Sequence, residues 1–358
     1  MPPTLSRAPS LTFFPTSTDL MTYDITLIPG DGIGPEITGA TLTVLAATGL
    51  PFHWDKQLGG MAAVEATGAP LPEATLASVR RTHLALKGPL TTPVGSGFRS
   101  VNVALRKEFE LFANVRPAKT IIPGGRFDHV DIVLVRENLE GLYIGREQWV
   151  ALGDDPHAQA ESVAVVTRAA SERVIRYAFE YALRHQRKNV TLVHKANILK
   201  YTSGLFLDVG REIAKEYDGR MTMNELIVDN CAMQLVLRPE QFDVIVTTNL
   251  FGDILSDEIS GLVGGLGMAP GGNIGEHAAI FEAVHGSAPD IAWRGVANPA
   301  ALILAAAMLC DHIGEVDAGD RIRRAIVATI VADRVRTRDL GGTATTKEFG
   351  DAVARRVA

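Results

Sequence analysis

Apolar-rich stretches of two kinds recur along this chain. The first kind is short: Tyr23 to Pro29, His83 to Leu86, Asp131 to Val135, Asn189 to Val193, Leu226 to Val228 and Phe242 to Val246 have the length and aliphatic content of buried strands. The second kind repeats at helical spacing, from Gly34 to about Ala47, from Ser100 to Arg106, from Ser171 to Gln186, from Leu205 to Tyr217, and past Gly252. Strand and helix signals that alternate in this way predict an α/β fold. The polar stretch around Gly153-Asp154-Asp155-Pro156 reads as a projecting arm, and Ser162 to Arg168 alternates like a strand. The glycine-rich segment 261–275 reads as a mobile loop. Pro299 to Cys310 is the longest apolar run. It is far too short to span a bilayer and is expected to be a buried helix. One more helix and a tail ending Leu340-Gly341-Gly342-Thr343 complete the pattern.

Polar residues placed just after strands carry the chemistry. After Phe242 to Val246 comes Thr247-Thr248-Asn249-Leu250-Phe251-Gly252-Asp253-Ile254-Leu255-Ser256-Asp257-Glu258. With a helix starting past Gly252, Asp253 and Asp257 share one helical face. Two readings stand at this point: solvated acids near a helix N-terminus, or hard oxygen ligands for Mg²⁺ or Mn²⁺. The first strand ends in Gly30-Asp31-Gly32-Ile33-Gly34-Pro35-Glu36, with Asp55 further on. A dinucleotide fingerprint would put its third glycine at position 35, which is Pro35, so a Rossmann fold is not expected. Lys87-Gly88-Pro89-Leu90-Thr91-Thr92-Pro93-Val94-Gly95 is a hydroxyl-rich loop at a strand end. In the helix that follows, Asn102 and Arg106 share a face and Ser100 lies near the cap. Arg106, Arg116 and Arg136, with polar neighbours, look like bidentate carboxylate readers. Lys195 just past a strand is a candidate base, and Asp229 is a third carboxylate at a strand end.

The chain has 358 residues, is 46% hydrophobic and carries a net charge of −6. That is enough for two domains or one large α/β unit with a sizeable core. With no Lys/Arg-rich run of useful length, neither nucleic acid nor an anionic membrane is an expected partner. An anionic substrate must be drawn by local arginines. Cys231 and Cys310 have no metal-type spacing and suit a reducing, cytoplasmic setting. Residues 1–20, rich in Ser, Thr and Pro, read as a disordered leader or an upstream start. A transit peptide would need more arginine and amphipathicity.

Five segments occur in order from about Met21 to the C-terminus: Ile28 to Glu36, Arg136 to Tyr143, His194-Lys195-Ala196-Asn197, Asn249 to Asp257, and His285-Gly286-Ser287-Ala288-Pro289. Together they resemble the metal-dependent β-decarboxylating dehydrogenases, the family of isocitrate, homoisocitrate and 3-isopropylmalate dehydrogenases. The resemblance implies an α/β architecture that is not Rossmann. Residues 21–117 and 263–358 would form a large cofactor-binding domain, and 118–262 a smaller domain carrying a dimer clasp and the metal and substrate residues. It implies a homodimer, or higher, with shared sites: Asp253 and Asp257 of one chain with Asp229 of the other on Mg²⁺ or Mn²⁺. Lys195, also from the other chain, would be the base and Tyr143 the acid. Arg106, Arg116 and Arg136 would hold the carboxylates of a 2-hydroxy tricarboxylate.

For the cofactor, the resemblance places adenosine against His285, Gly286, Ser287, Ala288, Pro289, Asp290 and Asn298, with Leu90, Thr91 and Thr92 towards the nicotinamide and Asn197 also in contact. Asp290 and Ile291 stand where NADP-users of the family carry lysine and tyrosine. A carboxylate there accepts from a ribose 2′-hydroxyl and repels a 2′-phosphate, so NAD is expected. Trp293 stands where the family usually has glycine, and Leu139 where threonine is common. Polar Ser100 and Asn102 resemble the isocitrate-users, whereas isopropylmalate-users are apolar there. The expected reaction is oxidative decarboxylation of isocitrate to 2-oxoglutarate and CO₂. Homoisocitrate is the alternative, ahead of 3-isopropylmalate or tartrate. A non-catalytic regulatory subunit would usually lack a metal ligand or the lysine, and Lys195, Tyr143, Asp229, Asp253 and Asp257 are all present.

Overall fold

The computed structural model describes residues 22–92, 98, 100–122 and 127–358. The expected leader at 1–20 and Pro93 to Gly95 lie outside these residues. The chain begins with β1 (Tyr23–Ile28), α1 (Gly34–Ala47), β2 (Phe52–Lys56), α2 (Met61–Thr67), α3 (Glu73–Thr82), β3 (Leu84–Lys87) and α4 (Val101–Glu108). It continues through β4 (Ala113–Lys119), β5 (Asp131–Glu137), β6 (Glu147–Leu152), β7 (Asp155–Ser162), α5 (Arg168–Arg184), β8 (Asn189–His194), α6 (Thr202–Glu216), β9 (Thr222–Ile227) and α7 (Val228–Leu237). It closes with β10 (Val244–Thr247), α8 (Asn249–Leu262), β11 (Pro270–Ile274), β12 (Ala279–Ala283), α9 (Ala300–His312), α10 (Val316–Val331) and α11 (Thr346–Val357).

Ten strands form one sheet in the order β2-β1-β3-β12-β11-β4-β5-β10-β8-β9. Most neighbours are parallel; β11 runs antiparallel to β12 and β4, and β4 antiparallel to β5. This is an α/β fold without Rossmann order, because β3 takes its second neighbour, β12, from the far end of the chain. The glycine turn after β1 has a packing reason. Gly32 has φ +57°, and a Cβ there would lie 2.0 Å from the Ser287 carbonyl oxygen. Only glycine lets that turn press against residue 287. Strands from the two chain ends make one half of the sheet, and β5, β10, β8 and β9 make the other. The boundary expected at 117/118 falls inside β4, and that at 262/263 falls at the end of α8.

Helix α9 is buried on nearly all sides, as a helix apolar all round must be. The ribbon β6–β7 stands apart from the main sheet with every residue of β7 exposed, which is the projecting arm. Four expectations need correction. Ser162 to Arg168 is not a strand of its own: Ser162 ends β7, and beyond it only Val165 pairs, with Gly141, because the Thr167 hydroxyl accepts from the Ala170 N–H at 3.2 Å and starts α5 at Arg168. The glycine-rich segment is not a loop throughout, since β11 is a wholly buried strand. Helix α8 begins at Asn249, before Gly252, so Asp253 and Asp257 lie beyond its first turn, which holds no acid, and the dipole does not explain them. The C-terminal tail forms a further helix, α11, entered through a capping box in which Thr345 and Glu348 satisfy each other's backbone N–H groups.

Candidate active site

Parallel strands β5, β10 and β8 end on one side of the sheet, beside the start of the antiparallel β4, so their last residues share a crevice. Arg136, next to last in β5 and 1% exposed, sits against α8. A Cβ on Gly252 would come within 2.6 Å of the Arg136 side chain, so that glycine lets helix and arginine meet. The guanidinium donates to Asn249 Oδ1 at 2.7 Å and makes a short ion pair with Asp253. Arg116, in β4, reaches the same helix. It donates to Ser256 Oγ at 2.5 Å and lies 3.4 Å from both Asp253 and Asp257. The Tyr143 hydroxyl donates to Asp253 Oδ2 at 2.6 Å, and the Arg136 guanidinium lies 5.0 Å from the Tyr143 ring centre.

These groups tune one another. Burial pushes the Arg116 guanidinium down to about 10, and the charges of Arg136 and Arg106 add to the effect. Arg106 is also lowered, first by burial, with Glu282 opposing. Burial opposes ionisation of Asp253, but Arg136, the Tyr143 hydroxyl and Arg116 outweigh it and hold its carboxyl below the usual range. Asp257 has weaker compensation, and burial raises it. Tyr143 is raised by burial and by its bond to Asp253, which keeps its proton in place at neutral pH.

Below this layer, Asn273 Oδ1 accepts from Arg106, Asn114 and Asn138, and Asn273 Nδ2 donates to Glu282 at 2.7 Å. Glu282 pairs with Lys87 at 2.6 Å, each nearly inaccessible. Lys87, Asn102, Arg106, Asn273 and Glu282 line a small cavity. Asn102 Oδ1 is buried there without a protein partner. Ser100 caps α4 by accepting from the Val103 N–H at 3.4 Å. Glu282, Asn273 and Asn114 belong to none of the motifs or strand-end positions that mark the other site residues in the sequence, and Asn138 lies within the Arg136 to Tyr143 segment. Glu282 does carry a signal, a lone acid within the apolar run Ala279–Ala283, since an unpaired charge is not buried there.

Lys195 and Asp229 form a short ion pair with each other, and that bond lowers the Asp229 carboxyl. Among the described residues no three His, Cys, Asp or Glu side chains gather as a metal cluster, so one chain does not bring Asp229 to Asp253 and Asp257. Asn197 is exposed on the turn after β8. Leu90 is buried in a small apolar cluster, the Thr91 hydroxyl bonds Ser287 Oγ at 2.7 Å, and Thr92 is exposed. His285 Nδ1 faces the Gly286 carbonyl at 2.9 Å, and its buried Nε2 has no protein partner. Space above Gly286 is open. Ala288, Pro289 and Asp290 form the short turn that follows. The Asn298 side chain is engaged within the protein, with the Asp339 carboxylate and the Ala300 N–H, both at 2.9 Å.

This arrangement offers three buried guanidiniums close together, two carboxylates on one helix face, and a loop with an imidazole nitrogen that has no protein partner. The family model described as isocitrate/isopropylmalate dehydrogenase matches residues 24–353. The chain is 49% identical to an isocitrate/homoisocitrate dehydrogenase of Thermus thermophilus over 93% of its length and 98% of that protein. It is 48% identical to isocitrate dehydrogenase (NAD) catalytic subunit 5, mitochondrial, of Arabidopsis thaliana, over 92% and 87%. The crystal structure of isocitrate dehydrogenase from Methylococcus capsulatus superposes with a TM-score of 0.90 at 57% identity, covering 94% of this chain and 99% of that one.

Proposed function

Since the chain belongs to the isocitrate/isopropylmalate dehydrogenase family, we propose that it oxidises and decarboxylates isocitrate to 2-oxoglutarate and CO₂, passing hydride to NAD. The observation that carries this reading is the gathering of three buried guanidiniums, in which burial and then the charge of Arg136 lower both Arg106 and Arg116, a state that a polycarboxylate ligand relieves. Asn102 adds spare hydrogen-bonding capacity beside Arg106, which suits a distal carboxylate and not an alkyl group.

Two donor sets fit the groups the family uses. Asp253 and Asp257 supply hard oxygens, and a cation beside Asp257 would offset the burial that disfavours its charge. They would hold Mg²⁺ or Mn²⁺, with Asp229 of a second chain completing the set. When bound, that ion supplies Lewis-acid polarisation at the substrate's C2 oxygen. The unpartnered His285 Nε2 and the open space at Gly286 suit the adenosine of NAD, and Asp290 suits its ribose 2′-hydroxyl.

The remaining work falls to side chains. Arg106, Arg116 and Arg136 clamp the carboxylates in bidentate fashion. Lys195 Nζ, from the second chain, takes the 2-hydroxyl proton as C2 gives up its hydride. Once the β-carboxylate has left as CO₂, the Tyr143 hydroxyl returns a proton to the former β-carbon, the Asp253 bond at 2.6 Å orienting it.

Purified protein with Mg²⁺ and NAD or NADP, offered isocitrate, homoisocitrate, 3-isopropylmalate and tartrate, should release CO₂ fastest from isocitrate with NAD. Homoisocitrate is the second reading, favoured by the Thermus thermophilus relative. One methylene is worth only about 1–3 kcal/mol of discrimination. A higher kcat/KM on homoisocitrate would move the substrate and keep the mechanism. Chelation should abolish turnover and Mn²⁺ restore it, whereas a regulatory subunit would show none to lose.

Cofactor choice has its own test. Asp290→Lys with Ile291→Tyr should shift preference from NAD towards NADP, because repulsion of the 2′-phosphate becomes attraction. An NAD:NADP ratio of kcat/KM that stays within about twofold would remove Asp290 from that role.

A further inference from the structure

Trp293 lies in the left-handed region at φ +63°, where a bulky residue is an outlier and glycine the natural occupant. Its side chain is 74% exposed, so little packing within the protein compensates for that conformation. The backbone around it is nevertheless tied down. Glu36, in the first turn of α1, accepts from the Trp293 and Gly295 N–H groups, both at 2.7 Å. The Thr346 N–H, at the start of α11, donates to the Gly295 carbonyl at 2.8 Å. Contacts from both ends of the chain over-determine the loop, and strain held in this way clusters at ligand sites. Ala288, at φ +39°, is a second left-handed residue of the same loop, and His285 Nε2 is its unpartnered buried atom.

We propose that the Trp293 indole is a stacking platform for the adenine of the bound dinucleotide. A held, exposed aromatic face calls for a flat π-partner, and adenine stacks without needing any particular hydrogen bond. The inference rests on the reading that this loop holds the adenosine. It adds an affinity contact that glycine at 293 could not make.

The test combines binding and stability in the full-length protein. The chain has three tryptophans, Trp54, Trp149 and Trp293. Titration with NAD, and with ADP-ribose, which has adenine but no nicotinamide, should change tryptophan emission in the wild type and not in Trp293→Gly. By calorimetry the NAD Kd of Trp293→Gly should rise about tenfold, while Trp293→Phe stays within about threefold of wild type. Trp293→Gly should melt at or above the wild-type Tm, because glycine relaxes the left-handed backbone. Unchanged NAD affinity in Trp293→Gly overturns the proposal. His285→Ala separates the two levels: if it weakens NAD binding and Trp293→Gly does not, the adenosine reading stands and the stacking falls. If neither weakens it, or if the wild type binds no NAD, both fall.

Discussion

A dimer with Lys195→Met in one chain and Asp253→Asn in the other is expected to regain up to about half of wild-type turnover, while each mutant homodimer is about 10²–10⁴-fold slower than wild type. In one chain Lys195 pairs with Asp229, and that pair does not join the Asp253–Asp257 face. If each site draws its base from the opposite chain, the mixed dimer has one site with both lesions and one with neither. Groups that act as a unit fail together, so the intact site works at full rate. Differently tagged chains, co-expressed and purified through both tags, supply the mixed dimer, and mass spectrometry confirms it. Activity no higher than that of either homodimer would place Lys195 on its own chain's substrate. Asp253→Asn also leaves Arg136, 1% exposed, facing a neutral amide, so thermal unfolding of each homodimer must show that the lost turnover reflects chemistry.

Replacing Lys87 by Met should cost about 3–5 kcal/mol of stability, because it strands the Glu282 carboxylate in the interior. Lys87 and Glu282 are register partners on β3 and β12, with side chains 3% and 7% exposed. The double variant Lys87→Met/Glu282→Leu should recover much of the loss, since no uncompensated charge remains. Denaturant midpoints measure both, and a single-variant cost below about 1 kcal/mol would mean that the pair is not what holds that layer together. The pH dependence has a definite sign. Burial opposes the Glu282 charge, but Lys87, Arg106 and Asn273 hold its carboxyl at about 2, below the ordinary 4.5. The stability this contributes is fully present above the ordinary value and is lost as pH falls through about 2. Glu282→Gln has no such dependence, so its deficit relative to wild type should shrink as pH is lowered from 5 towards 2.

Why the partner of Asp253 is legible in sequence and that of Glu282 is not follows from where those partners lie. The spacing of Asp253 and Asp257 is local, and a helical period alone puts them on one face. Arg136 was suspect for a similar reason, a charge at the end of an apolar strand. The Lys87–Glu282 pair depends on β3 meeting β12, elements 195 residues apart, and no period along the chain encodes that register. β11 reads as loop in the sequence because Pro-Gly-Gly-Asn-Ile has little strand propensity. Its extended form comes from β4 and β12 on either side, the tertiary context that dominates strand preference. α11 does carry a helical signal in the sequence. Thr345 and Glu348 form a capping box, and Phe349, Val353 and Val357 repeat every four residues along its buried face, but the polar residues between them gave the segment the look of a tail.

The joining of both chain ends in one half of the sheet has a consequence in time. Helix α1 packs so closely on α11 that a Cβ on Gly350 would lie 2.8 Å from the Ala40 Cβ, and β3 gains its second neighbour only with β12. A ribosome adding about 5–20 residues per second needs roughly 15–60 s to cover the stretch from the end of α1 to the start of α11. For most of that interval α1 waits for α11 and β3 for β12, whereas β5, β8, β9 and β10 have all their strand neighbours once residue 247 has been made. The nascent protein therefore completes itself from the middle outward, and its first-made strands are the last to be sheltered from chaperones, proteases and one another.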